Sequence, residues 1–228
     1  MKVYGLQKLS LLDYPDKIGA TIFTGGCNFL CPFCHNKDLV IGIEKIKEIP
    51  QEEVFSFLEK RKGILEGICI SGGEPLIHEE IGEFINKIKD MGYLIKIDTN
   101  GSYPDELKNL MKKKLIDYVA MDIKNSPGKY PITCGKSQID IEKIKESVSI
   151  LMNNNIQYEF RTTVIKELHN IEDFQIISEW LKGASKYFLQ SYKDSENVIE
   201  RRFNPYDNCQ LEKFKEILSQ KISFVQIR

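Results

Sequence analysis

The chain has 228 residues, 42% of them hydrophobic, enough to bury one substantial core. Its 32 Lys and Arg balance 33 Asp and Glu, so a formal net charge of -1 gives no bulk attraction to nucleic acid or to an anionic membrane, and neither is expected as a partner. The opening MKVYGLQKLSLLDYPDK lacks the apolar core of a signal peptide and no apolar run reaches a membrane span, so a cytoplasmic protein is expected.

In chain order, strands are predicted at 18–24 (IGATIFT), 66–71 (EGICIS), 93–98 (YLIKID), 117–123 (DYVAMDI), 156–164 (IQYEFRTTV) and 186–190 (KYFLQ). Between and after them, helices are predicted near 51–62, 79–91, 104–114, 138–153, 170–182 and 207–219, and SFVQI at 223–227 reads as an edge strand. Such alternation predicts an α/β fold with a parallel sheet. Six units with right-handed crossovers would curl into a partial (β/α)6 TIM-like barrel whose chemistry sits on loops at the C-terminal ends of the strands. One domain over 1–228 is expected, its core at about 15–192 and an extension at 193–228. The least regular stretches are 35–50, 124–137 and 192–206, the last a candidate lid or partner-binding loop.

Directly after the first predicted strand, GGCNFLCPFCHN places Cys27, Cys31 and Cys34 in a C-x3-C-x2-C spacing. Three thiolates this close can hold three corners of a [4Fe-4S] cubane and leave one iron open to a small molecule. A structural zinc site would need a fourth ligand, and His35, adjacent to Cys34, is awkwardly placed to chelate with it. Cys69, Cys134 and Cys209 are scattered, with Cys69 in an apolar run that reads as core.

The remaining candidates sit at strand ends. Gly72 and Gly73 follow the second strand, where residues without Cβ let backbone approach a ligand or simply make a turn. Parity puts Lys96 and Asp98 on one strand face, and Tyr118, Ala120, Asp122 and Lys124 on another. If both faces point inward, two carboxylates converge, and compensating positive charge is required. Lys124 and Arg161 are the candidates, although Arg161 could pair instead with Glu159 on its own strand. His78 and His169 read as surface or capping residues.

The cysteine loop, Gly72-Gly73-Glu74-Pro75, Asp98-Thr99-Asn100-Gly101 and Asp122-Ile123-Lys124, in this order, resemble the radical S-adenosylmethionine (SAM) superfamily and, within it, the activating enzymes of glycyl radical enzymes. The likeness spans about residues 3 to 165, and LQKLSLLDYPDKIGATIFTGGCNFLCPFCHN most resembles activators of anaerobic ribonucleotide reductase. The resemblance implies a [4Fe-4S] cluster on Cys27, Cys31 and Cys34, whose open iron takes the amino and carboxylate groups of SAM. Reductive cleavage would then give methionine and a 5'-deoxyadenosyl radical that abstracts hydrogen from a glycine Cα of a partner enzyme. It also implies that Phe33, Cys34 and His35 pack on the adenine, and that Gly72, Gly73, Glu74, Asp98, Thr99, Asp122, Ile123, Lys124 and Arg161 contact the cofactor. In the pyruvate formate-lyase activator the matching aspartates hold a monovalent cation. Gln190 stands where that enzyme has a cofactor-binding histidine. Residues 36–71 carry one cysteine, so the two-cluster ferredoxin-like insertion of some activators is missing and a single cluster is expected. Reduced flavodoxin or ferredoxin is the expected electron donor. The competing readings are a radical SAM enzyme acting on a small molecule, like the deazaguanine synthases, and an iron-sulfur electron carrier.

Overall fold

A computed structural model describes residues 1–228. Strand order in the sheet follows chain order, β1 to β8. The chain divides into two compact units, one of Met1–Asn28, Asn36–Thr99 and Tyr103–Val119, the other of Phe29–His35, Asn100–Ser102 and Ala120–Arg228.

In the first unit, β1 (Val3–Ser10) runs antiparallel to β2 (Gly19–Thr24), and β3 (Gly67–Gly72) and β4 (Leu94–Thr99) continue in parallel. The register aligns Thr21 with Cys69 and Cys69 with Lys96. Ile22, Ile68, Ile70, Ile95 and Ile97 are fully buried, as parallel strands covered by helices require. A short α1 (Lys37–Ile41) precedes three covering helices, α2 (Gln51–Glu59), α3 (Ile81–Asp90) and α4 (Pro104–Lys112). In α3, Ile81, Phe84, Ile85 and Ile88 recur at helical spacing and are all buried. Pro104 opens α4 with Asp105 and Glu106 in its first turn, where a fixed φ and negative charge both favour a helix start.

β5 (Tyr118–Asp122) ends in the second unit, where β6 (Gln157–Val164), β7 (Lys186–Ser191) and β8 (Phe224–Ile227) are parallel. Its helices are α5 (Tyr130–Thr133), α6 (Ile141–Met152), α7 (Ile171–Trp180) and α8 (Asn208–Ser219). Asn170 and Asp173 form a reciprocal capping box that starts α7, and the Asp207 carboxylate caps α8 at Gln210 N, 2.8 Å. Phe174 and Phe214 stack at 4.3 Å between centroids and tie α7 to α8, a pairing worth about 1 kcal/mol beyond the area it buries.

All six expected strands and the edge strand form within one residue of their expected limits, and the six helices within three. Sequence reasoning misses β1, α1 and α5. β1 keeps only Val3 and Ser10 buried, so it lacks the apolar alternation that marks a strand. α1 and α5 are too short for a helical period to show. No helix is long and apolar enough to cross a membrane.

Candidate active site

In the first unit, β2 runs into Gly25, Gly26 and Cys27. The turn after β3 docks on this stem through its backbone: Gly73 N donates to Thr24 O at 3.0 Å and Glu74 N to Gly26 O at 2.9 Å. A Cβ on Gly73 would lie 1.8 Å from Gly26 O, and one on Gly72, at φ +117°, would lie 2.2 Å from Thr24 O. The glycine pair is therefore required by the chain's own packing against the cysteine-loop stem, in addition to any approach of a ligand. Asn36 Nδ2 donates to Gly72 O at 2.6 Å. His78 Nε2 donates to Gly25 O at 3.0 Å, and burial lowers its pKa, so it holds the stem as a neutral ring rather than lying free on the surface.

Beyond that turn, the buried Glu74 carboxylate accepts from Leu76 N at 3.1 Å and from Thr99 Oγ1 at 2.8 Å. Two expected cofactor contacts are thereby tied to each other. Asp98 accepts from Ser71 Oγ at 2.9 Å and from the Lys96 ammonium. Lys96 is 2% exposed, and its Nζ also lies 3.6 Å from Cys69 Sγ. A buried ammonium costs several kcal/mol unless paired, so Lys96 and Asp98 stabilise one another. Strand parity places both on one face, and the positive charge expected from Lys124 and Arg161 is supplied to Asp98 by Lys96.

In the second unit, Cys34 N donates to Cys31 O at 3.0 Å and Leu30 N to Cys134 O at 2.9 Å. The stretch 192–206 is a strap on this loop: Ile199 N donates to Cys34 O at 3.2 Å, Glu200 N to Pro32 O at 2.7 Å, and His35 Nε2 to Lys193 O at 2.6 Å. His35 meets the Tyr192 ring at 5.6 Å, and the buried Phe33 meets Phe203 edge-on at 6.4 Å. None of the six cysteines is in a disulfide. Backbone hydrogen bonds thus fix the segment that carries Cys31 and Cys34.

Asp122 ends β5 with Lys124 Nζ at 2.7 Å on Oδ2 and Arg161 Nε on Oδ1. Burial would raise the carboxyl, but Arg161 and then Lys124 overcome it and hold Asp122 well below the usual carboxylate range. Burial likewise opposes charge on Lys124, and Asp122 outweighs it, keeping the ammonium protonated. Glu159, on the same strand as Arg161, pairs with Arg228 at 3.0 Å. Ile123 is buried, with its N–H donating to Arg161 O at 2.8 Å. Gln190 lies on β7 in register with Thr163. His169, read as a surface or capping residue, is not on the surface: it is buried, donates from Nε2 to Lys124 O at 2.9 Å, and has its pKa lowered by burial.

The family model described as the radical SAM superfamily matches residues 21–181. This chain belongs to the radical SAM superfamily. A relative from Methanocaldococcus jannaschii, named as a glycyl-radical enzyme activating enzyme, is 35% identical over 202 residues, 87% of this chain and 82% of its own length. The pyruvate formate-lyase-activating enzyme of Clostridium pasteurianum is 25% identical over 206 residues, 82% of this chain and 85% of that one. The chain is accordingly a radical SAM enzyme of the glycyl-radical-activating group. In fold it resembles Streptococcus suis SuiB (TM-score 0.70, 14% identity, 91% of this chain and 48% of that one). A structure of TYW1 with a lysine-pyruvate adduct bound gives a TM-score of 0.63 at 16% identity, over 90% of this chain and 74% of that one. The fold is the partial TIM-like barrel of these radical SAM proteins.

Proposed function

We propose that this enzyme installs a glycyl radical in a partner, an anaerobic ribonucleotide reductase, after reductive cleavage of SAM. The observation that carries the reading is the C-x3-C-x2-C loop, with a glycine-pair turn hydrogen-bonded to its stem, in a chain 35% identical to a relative named as an activator. Cys27, Cys31 and Cys34 are the residues we assign to one [4Fe-4S] cluster. When bound, such a cluster would supply the electron that splits the sulfur to C5' bond of SAM.

The chain's own residues have separate tasks. Phe33 and His35 offer π-faces suited to a purine, and their neighbours Phe203 and Tyr192 hold those rings in place. Arg161 and Lys124 offer donors for the carboxylate of the methionine moiety, while Asp122 keeps the Lys124 ammonium protonated. Asp98, oriented by Lys96 and Ser71, offers an acceptor, and Gly72, Gly73, Glu74, Thr99, Ile123 and Gln190 complete the proposed contacts. A monovalent cation beside Asp98 and Asp122 would meet carboxylates that already carry internal partners, and these internal cations supply the compensation. Reduced flavodoxin or ferredoxin in the cytoplasm is the proposed donor.

A second reading keeps the cofactor chemistry and changes the substrate. The 7-carboxy-7-deazaguanine synthase of Thermoplasma acidophilum is 33% identical over 102 residues, 44% of each chain. The likeness to the activators is about twice as long, which favours a protein substrate. The test incubates reduced enzyme and SAM with the candidate reductase, follows 5'-deoxyadenosine by chromatography and looks for a glycyl radical doublet by electron paramagnetic resonance. Cleavage without a doublet, together with turnover of a pterin, would transfer the assignment to the second reading.

A further inference from the structure

Lys124 lies beyond the end of β5 (Tyr118–Asp122), so no strand ladder fixes its main chain. Side chains do so instead. Its N–H donates to the Tyr130 hydroxyl at 3.2 Å, and its carbonyl accepts from His169 Nε2 at 2.9 Å. The tautomer of that ring follows from its other nitrogen. Ile165 N–H reaches His169 Nδ1 at 3.1 Å, and a backbone N–H can only donate, so Nδ1 is the acceptor and Nε2 carries the proton. His169 is 2% exposed and stacks on Phe174 at 5.8 Å between centroids, so water does not compete strongly for either bond.

The main chain around His169 is held as well. Its N–H donates to Ile165 O at 3.0 Å, its carbonyl accepts from the Tyr206 hydroxyl at 2.7 Å, and Leu168 O accepts from Asn125 Nδ2 at 3.0 Å. The next residue, Asn170, caps α7. Tyr206 ends the 192–206 strap, whose Ile199 and Glu200 reach Cys34 O and Pro32 O. A chain of bonds thus runs from the strap, through the loop after β6, to Lys124.

Packing alone would be met by any ring laid on Phe174, whereas the directed Nε2 bond ties this ring to the residue whose Nζ reaches Asp122 Oδ2 at 2.7 Å. We propose that His169 is a positioning residue for SAM binding: its Nε2–H fixes the Lys124 main chain and so sets where the ammonium stands beside Asp122 and Arg161. The inference rests on the proposal above that Lys124 and Arg161 receive the carboxylate of the methionine moiety.

The test compares reconstituted wild type with His169→Asn, His169→Gln and Tyr206→Phe. Asparagine can accept from Ile165 N but stops short of Lys124 O, whereas glutamine carries its amide out to the Nε2 position and can donate there. Iron per chain and the thermal midpoint are measured first, and SAM affinity is then measured by calorimetry. All four proteins should carry the same iron, and both histidine variants should melt earlier, since each gives up the stack on Phe174. The asparagine variant should bind SAM about fivefold more weakly, while the glutamine variant stays close to wild type. Tyr206→Phe, which loosens only the loop that carries the ring, should fall between them. Unchanged affinity in the asparagine variant overturns the inference and leaves the carboxylate assignment standing. Affinity that falls equally in both histidine variants, in step with stability, makes His169 a packing residue and overturns it as well. If the asparagine variant does not fold, Tyr206→Phe decides alone, and wild-type affinity there overturns the inference. A wild-type chain that carries iron yet binds no SAM overturns the assignment and, with it, the inference.

Discussion

Arg161 on β6 donates from Nε to one oxygen of Asp122 at the end of β5, while Lys124 closes on the other at 2.7 Å. Two cations thus flank the one carboxylate of Asp122. Deleting Asp122 would strand both cations. Asp122→Ala should therefore lower stability by about 3 kcal/mol, the lower end for breaking a buried pair because this one keeps partial solvent access. Because the folded pKa is depressed, the pair's contribution is present above the unfolded carboxyl value of about 3.9 and is lost as pH falls below it. Urea midpoints from pH 3 to 7 should fall on the acid side for wild type and stay flatter for the variant. Parallel profiles would show that the pair contributes nothing.

Lys96 and Asp98 give a second expectation, concerning the cofactor. With an ammonium built into the site, SAM affinity measured by calorimetry should be the same in potassium, sodium and choline salts. Asp98→Ala should weaken binding about tenfold, a loss of ~1.4 kcal/mol, with iron content unchanged. Lys96→Met should make binding depend on added potassium, since the carboxylate then lacks its internal partner. Strong potassium dependence in the wild type would reject the internal-cation argument.

The three motif cysteines should be separable from the others by metal content. Cys27→Ala, Cys31→Ala and Cys34→Ala should each abolish the reconstituted cluster. Cys69→Ala and Cys209→Ala should retain it, because Cys69 on β3 contacts Lys96 on β4 and Cys209 is exposed on α8. Iron loss in either of the latter two, in a folded protein, would change the ligand set.

Gly73→Ala should be among the most damaging single-methyl additions in the chain. Its Cβ would meet Gly26 O at 1.8 Å, a backbone atom that cannot rotate away, so the turn or the cysteine-loop stem must move. A loss of about 3 kcal/mol or more in thermal or chemical denaturation is expected, with cluster uptake impaired through the displaced stem. A variant as stable as wild type would show that the two loops are not packed as described.

Backbone bonds of the 192–206 strap predict its protection. Ile199→Pro removes the N–H that reaches Cys34 O and should cost about 1 kcal/mol locally. Tryptic cleavage after the exposed Arg201 and Arg202 should accelerate in the variant while the rest of the chain stays resistant. Equal cleavage rates would indicate a strap that is already open.

The strands, the longer helices and the cysteine loop were determined by the sequence alone, because apolar periodicity and motif spacing are local signals that survive without neighbours. Parity also put Lys96 with Asp98, and Asp122 with Lys124, on shared faces, and the ion pairs match. The pairing of Arg161 was decided only by the tertiary structure: Glu159 lies two positions away and Asp122 39, yet Asp122 meets the guanidinium, while Glu159 pairs with Arg228. β1 was invisible for a similar reason, since backbone pairing with β2, rather than a buried apolar face, makes it a strand. His169 carried no spacing signal, and the strap on Pro32 and Cys34 is built from main-chain atoms that every residue type possesses. Long-range pairing depends on which surfaces the folded chain brings within about 3 Å of each other, and no local pattern encodes that.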